Sequence, residues 1–526
     1  MKVLIADPLA ENGLKLLREE EGIWADEVYN LTPAQLRERI VPYHALIIRS
    51  KTRVSEEVIQ AAENLKVIAR AGVGVDNIDV EAASRRGIIV MNAPDGNIAS
   101  AAEHTISMIL ALSRNIPQAN ASLKARRWEG SRFIGTEVYN KTLGIIGLGR
   151  IGSEVAKRAQ GLGMKVIAYD PYASLELAGR LKIALVEMSD LLGESDYITI
   201  HTPLNETTLN LIDDEEFAIM KDGVRLINCA RGEIVNEAAL HLAITKGKVA
   251  GAALDVFSVE PPFESPLLDL EEVIATPHLG ASTHEAQRQV AVDVARQVID
   301  ALKGLRISNA VNVPSVEPEV LKVIRPYLNL AEKMGSLETQ YSGGHTKEMR
   351  MKYTGEVTNY DLAPITHAFL KGLFDPILEG RVNYVNAPII AKERGIRVNV
   401  TKSTQIEDFA NLIEASVTTD AGETYVAGTL FGSSRPRIVR INDYHVAAIP
   451  DGYMLIVTNL DKPGMMGKIG TLLGSRDVNI ADMTLGRVKP GGQAMVVLNL
   501  DNPLPPGLLD EINSMENVVG AKMVKF

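Results

Sequence analysis

TLGIIGLGRIGSEVAKRAQGLGMKVIAYDP, residues 142–171, is the stretch whose reading decides the fold. An apolar run ends in glycine, a helical stretch of mixed polarity follows, a second apolar run closes the unit, and an acid, Asp170, stands at its end. Gly147, Gly149 and Gly152 fall on a G-x-G-x-x-G spacing. The first glycine of that pattern permits a tight turn, the second lets backbone approach a pyrophosphate, and the third lets helix pack on strand. The helix N-terminus then faces the phosphates. Asp170 stands 18 residues after Gly152, where a carboxylate accepts hydrogen bonds from ribose hydroxyls and repels a 2′-phosphate; the reading favours NAD over NADP.

Outward from this unit, both flanks alternate in the same way. Upstream, the runs KVLIADP, ALIIRS, KVIARAG and IIVMNAP are separated by polar helical stretches, the pattern of a parallel sheet wrapped by helices. SAAEHTISMILALSRN reads as a largely buried helix bridging two domains. Downstream, MKVIAYD, SDYITIHTP, VRLINCAR, VAGAALDVF and VIATPHLG complete six strands, the number in a full dinucleotide fold. The helix STHEAQRQVAVDVARQVIDALKG ends at Gly304 with no new sheet beyond it, so the chain is expected to return to its first block. The expectation is an outer substrate-binding lobe of residues 1–96 plus 284–310, with an NAD-binding lobe of residues 97–283 inserted in it. Two crossings make a hinge and leave a cleft suited to closing over a substrate.

After the Pro- and Val-rich NAVNVPSVEPEV the texture changes. Residues 315–450 carry glycine-punctuated segments that read as antiparallel strands without a catalytic constellation, and residues 452–526 read as a βαββαβ unit. The expected class is α/β: two doubly wound parallel-sheet lobes, then an α+β domain, then the βαββαβ domain. With 526 residues, 46% of them hydrophobic, the chain is too long for one core. Its net charge of -11 argues against nucleic acid or a membrane surface as partner, both being polyanions. Cys229 is the single cysteine, which excludes an intramolecular disulfide framework and a cysteine-based zinc site, and no metal is expected. No signal peptide opens the sequence, and no apolar run reaches the ~18 residues of a membrane span, so a cytoplasmic protein is expected.

Three later strand ends carry chemistry. NCARGEIVN, ALDVFSVEPP and TPHLGAST each deliver one polar group, Arg231, Glu260 and His278, to the side where such sheets bind ligands. An arginine fork holds a carboxylate or carbonyl oxygen. A histidine exchanges a hydroxyl proton while hydride moves to a nicotinamide, and a neighbouring glutamate orients its ring. Singly, each has a plain structural explanation: a surface ion pair, a solvated turn, a helix cap. Their joint placement favours chemistry.

With LGIIGLGRIG, LINCARGEIV, GAALDVFSVEPP, TPHLGAST and RAGVGVDNIDVEAASRRGIIVMNAPDGNIASAAEHT, the first 310 or so residues resemble the D-isomer-specific 2-hydroxyacid dehydrogenases. The resemblance implies Arg231, Glu260 and His278 as the catalytic set. It implies NAD contacts from Gly147, Gly149, Arg150, Ile151, Gly152, Asp170, Thr202, Cys229, Ala230, Arg231, Asp255, His278, Leu279, Gly280 and Ala281. Arg49, Ser50, Lys51, Thr52, Arg70, Gly72, Val73, Gly74 and Asn97 would line the substrate site. Val73 replaces a threonine found in some relatives, and Gly130 stands where some carry an arginine, with Arg132 as the expected substitute. LDKPGMMGKIGTLLGSRDVNIADM is similar to ACT domains, which sense amino acids, and residues 315–450 resemble the intervening domain of long family members, expected to be regulatory and to bind substrate allosterically. The combination implies oxidation of 3-phosphoglycerate, L-serine as effector through Asn459, Asp461 and Asn479, and a homo-oligomer, dimer or tetramer. Cys229 is read as a packing residue, since hydride transfer needs no nucleophile. The rival readings are a hydroxypyruvate or glyoxylate reductase and an NAD-sensing binding protein without catalysis.

Overall fold

The computed structural model describes residues 1–314, 316, 318–378, 382–405, 409–432 and 434–526. The expected start of the third segment, residue 315, lies outside the described residues.

Five parallel strands make the first sheet: β1 (Lys2–Ile5), β2 (Trp24–Glu27), β3 (Ala45–Ile48), β4 (Val67–Arg70) and β5 (Ile89–Met91), in the order β2-β1-β3-β4-β5. β3 and β4 are buried along their whole length, which is why they read as unbroken apolar runs. β2, WADE, is an edge strand with no fully buried residue. It carries no apolar signal, and the four-run reading of this block missed it. Val290, Val294, Ala295 and Val298 of the helix His284–Leu302 share one core with Val3, Ile5, Leu14 and Leu17. Beyond that helix, Ala310 bridges Met91, and the Asn312 side chain holds the Val90 N–H and the Ile88 carbonyl.

The second sheet is parallel and seven-stranded, in the order β12-β11-β10-β9-β6-β7-β8. Its strands are β6 (Thr142–Ile146), β7 (Lys165–Tyr169), β8 (Ala184–Leu185), β9 (Tyr197–Ile200), β10 (Val224–Asn228), β11 (Val249–Leu254) and β12 (Val273–Ala275). Six match the expected runs; the addition is β8, a two-residue edge strand too short to show a pattern. Strand order reverses between β6 and β9, so the glycine turn after β6 opens at a topological switch point. The helix Ile98–Ser113 packs Met108, Ile109 and Leu112 into the core of this sheet.

The third sheet has six strands, in the order β14-β13-β15-β16-β17-β18: β13 (Thr346–Gly355), β14 (Arg397–Ser403), β15 (Asn411–Thr419), β16 (Glu423–Phe431), β17 (Arg435–Ile441) and β18 (Tyr444–Ala448). All neighbours are antiparallel except β13 and β14, which run parallel. Helices Pro318–Ser342 and Ala363–Leu378 cross tightly beside it. At the crossing a Cβ on Gly335 would lie 2.1 Å from the Phe369 carbonyl oxygen, and one on Gly372 would lie 1.8 Å from that of Glu332. Only glycine fits there. The sequence reading placed strands in this region and not these helices, because Pro326, Pro376 and the two glycines interrupt the helical pattern.

The fourth sheet, β20-β21-β19-β22, is antiparallel and uses β19 (Tyr453–Leu460), β20 (Ile480–Arg487), β21 (Gln493–Leu500) and β22 (Val518–Lys525). Helices Met465–Ser475 and Leu508–Asn513 cover one face. The other face gives Met454, Ile456, Met495, Val497 and Val524 to the core of the third sheet. The last two units therefore share one interior.

Inside it lies Glu338, fully buried. One carboxyl oxygen accepts from Thr424 Oγ1 at 2.5 Å and the other has no partner among the described residues. Burial pushes this carboxyl from an ordinary 4.5 up to about 8. The unfolded chain releases its proton first, so the folded state loses stability as pH rises through that window. Glu338→Gln removes the loss: calorimetry of the full chain should show a gain in thermal stability at the alkaline end of the window and none at the acid end.

Candidate active site

The turn after β6 leads into the helix Arg150–Gly161, and Asp170 closes its rim by accepting the Leu148 N–H at 2.9 Å and the Tyr172 N–H at 2.8 Å. From Arg150 and Ile151 at the start of that helix a cleft of 500 Å3 runs between the first and second sheets, with Gly147, Gly149, Gly152 and Asp170 outside its immediate lining. Val73, Gly74, Asp76 and Asn92 line it from one lobe; Arg150, Ile151, Thr202, Cys229, Ala230, Arg231, Asp255, His278, Gly280 and Ala281 line it from the other, with Asn97 at the crossing. Thr202 Oγ1 and Asn97 Oδ1 are buried without a partner among the described residues. Such groups in a cleft of this size fit a polar ligand, and with the glycine turn they fit a dinucleotide.

Asp255, at the end of β11 and 1% exposed, holds the wall together. Its Oδ1 accepts from Thr276 Oγ1 at 2.6 Å and the Leu279 N–H at 2.7 Å, and its Oδ2 from the Gly280 N–H at 2.8 Å. His104 Nε2 lies 3.1 Å from Oδ1. Burial opposes ionisation, but these donors outweigh it and keep the carboxyl below its usual range. The Asp255 carbonyl takes the His278 N–H at 2.9 Å. The loop so pinned holds His278 at φ +55°, a left-handed conformation that side chains other than glycine rarely adopt and that surrounding contacts must enforce.

His278 Nδ1 lies 2.9 Å from Glu260 Oε2, which leaves Nε2 for another partner. Burial would raise the Glu260 carboxyl, yet the hydrogen bond and charge of His278 hold it low, so it stays an anion beside the ring. Arg231 Nε donates to Asp76 Oδ2 across the lobes at 2.8 Å, and Nη1 donates to the Ala230 carbonyl at 2.7 Å. A second cavity of 200 Å3 joins these groups: Ser50, Arg70, Asp76, Asn77, Arg231, Glu260 and His278 line it. Arg70 is buried, hydrogen-bonds to the Gly74 carbonyl, and has an Nε without a partner among the described residues. Burial and the neighbouring Arg231 charge lower it to about 10, so it remains a cation at neutral pH. Two guanidiniums share this wall with the carboxylates of Asp76, Glu233 and Glu260. The Arg231 fork and that Arg70 Nε are the groups here suited to holding an anion.

Other expected residues lie elsewhere. Arg132 donates bidentately to Glu271 at 2.8 Å and lines a separate cavity with Gln118 and Arg225, so it does not reach the cleft. Thr52 is buried and bonds to Asp7 through Oγ1 at 2.9 Å, and Lys51 turns to Asn30 at 2.6 Å. Arg49 and Gly72 face a neighbouring 140 Å3 cavity that also touches Ala281. Leu279 is 39% exposed and contributes its backbone N–H. In the tail, Asp461 accepts from Arg487 at 3.1 Å near Asn459, whereas Asn479 donates to Asp501 at 2.6 Å. β19 and β21 are antiparallel with Asn459 opposite Ala494 and Tyr453 opposite Leu500, so Asn479 and Asp501 sit at the other end of the sheet. Within one chain the three do not converge. The Cys229 thiol is pushed up to about 12 by burial and by Asp255, which disables it as a nucleophile. Sequence reasoning missed Asp76, His104 and Thr276 as supports of the site. Asp76 lay inside the quoted RAGVGVDNID without a pattern of its own.

Comparison with known proteins agrees with this geometry. Residues 106–280 match the D-isomer specific 2-hydroxyacid dehydrogenase NAD binding domain, residues 323–442 the D-3-phosphoglycerate dehydrogenase intervening domain, and residues 453–517 the ACT domain. Over 529 aligned positions, the whole of both chains, the sequence is 45% identical to D-3-phosphoglycerate dehydrogenase of Archaeoglobus fulgidus. The chain belongs to the D-3-phosphoglycerate dehydrogenase family. The relative from Synechocystis is 46% identical over 100% of this chain and 95% of that one. Among solved structures, D-lactate dehydrogenase of Aquifex aeolicus, complexed with NAD and lactic acid, is 28% identical with TM-score 0.54 and covers 60% of this chain and 100% of its own. A glyoxylate reductase from Paecilomyes thermophila is 29% identical with TM-score 0.55, covering 59% and 98%. This dehydrogenase is an NAD-dependent oxidoreductase with an ACT domain. Among the described residues no helix is long and apolar enough to cross a membrane.

A Cβ on Gly74 would fall 1.6 Å from Arg231 Nη2. Gly74→Ala should therefore displace the guanidinium and cut kcat/KM by ~100-fold in steady-state assays, the scale of an ångström-level misplacement, without unfolding the chain.

Proposed function

We propose that this dehydrogenase oxidises D-3-phosphoglycerate at C2 to 3-phosphohydroxypyruvate with NAD, opening L-serine synthesis. The observation that carries this reading is one cavity in which the His278–Glu260 pair, Arg231 and the buried Arg70 meet. Full-length likeness to named 3-phosphoglycerate dehydrogenases supports it.

Bound NAD supplies the hydride acceptor. Gly147, Gly149 and Gly152 form the turn that would admit its phosphates, Asp170 at the rim suits its ribose, and Thr202 and Asn97 offer unused polar atoms. Neutral His278 takes the C2 hydroxyl proton on Nε2 as hydride leaves C2, so that the C2–O bond becomes a carbonyl. Glu260 orients the ring and stabilises the resulting imidazolium. Arg231 grips the C1 carboxylate, which exchanges places with Asp76 as its partner. Arg70 and Arg49 neutralise the phosphate, and Ser50 offers it a hydroxyl donor. A reductase of unphosphorylated oxo acids needs no second buried cation, so Arg70 favours the phosphorylated substrate.

The proposed partition is residues 1–96 with 284–310 for substrate, 97–283 for NAD, 315–450 as the intervening domain and 452–526 as the ACT domain. L-Serine is the proposed effector: Asn459, 2% exposed, keeps an Oδ1 without a partner among the described residues, beside Asp461. A second copy of the chain would cover Trp128, Ile134 and Tyr139, which are 91%, 82% and 64% exposed, consistent with a cytoplasmic homo-oligomer.

The test follows NADH absorbance. 3-Phosphoglycerate should be oxidised at least tenfold more efficiently than D-glycerate, the scale of one charge-assisted contact. His278→Ala should lose ~100-fold or more in turnover with NAD binding kept. Equal rates for the two substrates, or an active His278→Ala, contradict the reading. In the same assay millimolar L-serine should change the initial rate; no change contradicts the effector assignment.

A further inference from the structure

Outside the interlobe cleft and the tail, a further cavity of 320 Å3 lies where the outer lobe meets the helices of the third unit. Leu305 and Ile307 enter it from beyond the helix His284–Leu302. Leu321, Arg325 and Leu328, spaced four and three residues apart, present one face of the helix Pro318–Ser342 to it. Pro364 and His367 do the same from the helix Ala363–Leu378.

The chemistry of this wall is specific. Its body is apolar, and an apolar cavity of about 150 Å3 already takes a benzene-sized guest. Arg306 and Arg325 stand exposed at its margin. Among the described residues neither guanidinium has a carboxylate partner, and no acidic side chain lines the cavity, in a chain whose net charge is -11. His367 Nδ1 is buried and has no hydrogen-bond partner among the described residues.

We propose that this cavity is a binding site for a small organic anion that has an apolar body, an acidic head for the two arginines, and a polar group for His367 Nδ1. Its occupant touches both sides of the joint, which is further tied by Asn383 donating to the Gly87 carbonyl at 2.7 Å and by the Arg85–Glu393 ion pair at 3.3 Å.

The probe is 1-anilinonaphthalene-8-sulfonate, which carries a sulfonate, an aromatic body and an anilino N–H. It is titrated by fluorescence into the full chain saturated with NAD and L-serine, so that the other sites are filled. Saturable binding at one site per chain is expected, weakened about tenfold by Arg325→Ala, the scale of a charged contact. Leu328→Trp fills the cavity and should abolish it, and Leu321→Trp repeats that test should Leu328→Trp misfold. Arg325→Ala alters only an exposed side chain and keeps the fold. Absence of saturable binding, affinity unchanged in Arg325→Ala, or binding that survives a folded cavity-filling variant overturns the proposal.

Discussion

The active site depends on one buried carboxylate. Asp255 leaves water almost completely, which is costly for an anion unless donors replace the lost hydration. Two backbone N–H groups, the Thr276 hydroxyl and His104 supply them, and three of these four come from the loop that follows β12. The anion and the loop therefore fix each other. His278 is presented at φ +55° because its neighbours on both sides are anchored to one side chain. Glu260 then needs only to orient a ring whose backbone is already set.

The second constraint crosses the lobes. Arg231 comes from the inserted sheet and its carboxylate partner, Asp76, from the outer one, with Gly74 leaving room for the guanidinium. A site assembled from both lobes is complete only when they sit at the correct separation, so opening the hinge dismantles it without unfolding either sheet. Arg70 and Arg231 lie close enough for each charge to bear on the other, in a cavity whose wall also carries Asp76, Glu233 and Glu260.

Much of this was legible in the chain because backbone geometry leaves strong marks. A glycine turn after β6, strand ends at Asn228, Leu254 and Ala275, and one polar residue following each are features of local pattern, and they placed Arg231, Glu260 and His278 on one edge. What escaped has physical reasons. β2 and β8 are edges with little buried surface, so periodicity is silent there. Asp76 and His104 matter only through contacts distant in sequence. Thr52 was placed in the substrate site by resemblance, and Arg132 as the substitute for an arginine missing at Gly130, but their partners, Asp7 and Glu271, could not be seen from position alone. The helices beside the third sheet hid behind prolines and behind glycines whose purpose is close approach, a property of two segments and not of one.

The last two units share a single interior and reach the outer lobe through Asn383 and Glu393, which gives events in the tail a continuous packed route toward the lobe that carries Arg70 and Asp76. The whole account rests on where the substrate lies. A crystal structure of the chain with NADH and 3-phosphohydroxypyruvate measures this directly. The account predicts the ligand's C2 oxygen within hydrogen-bonding reach of His278 Nε2, its carboxylate on Arg231 in place of Asp76, and its phosphate toward Arg70. A ligand bound with its phosphate on Arg231, or held away from His278, would contradict it.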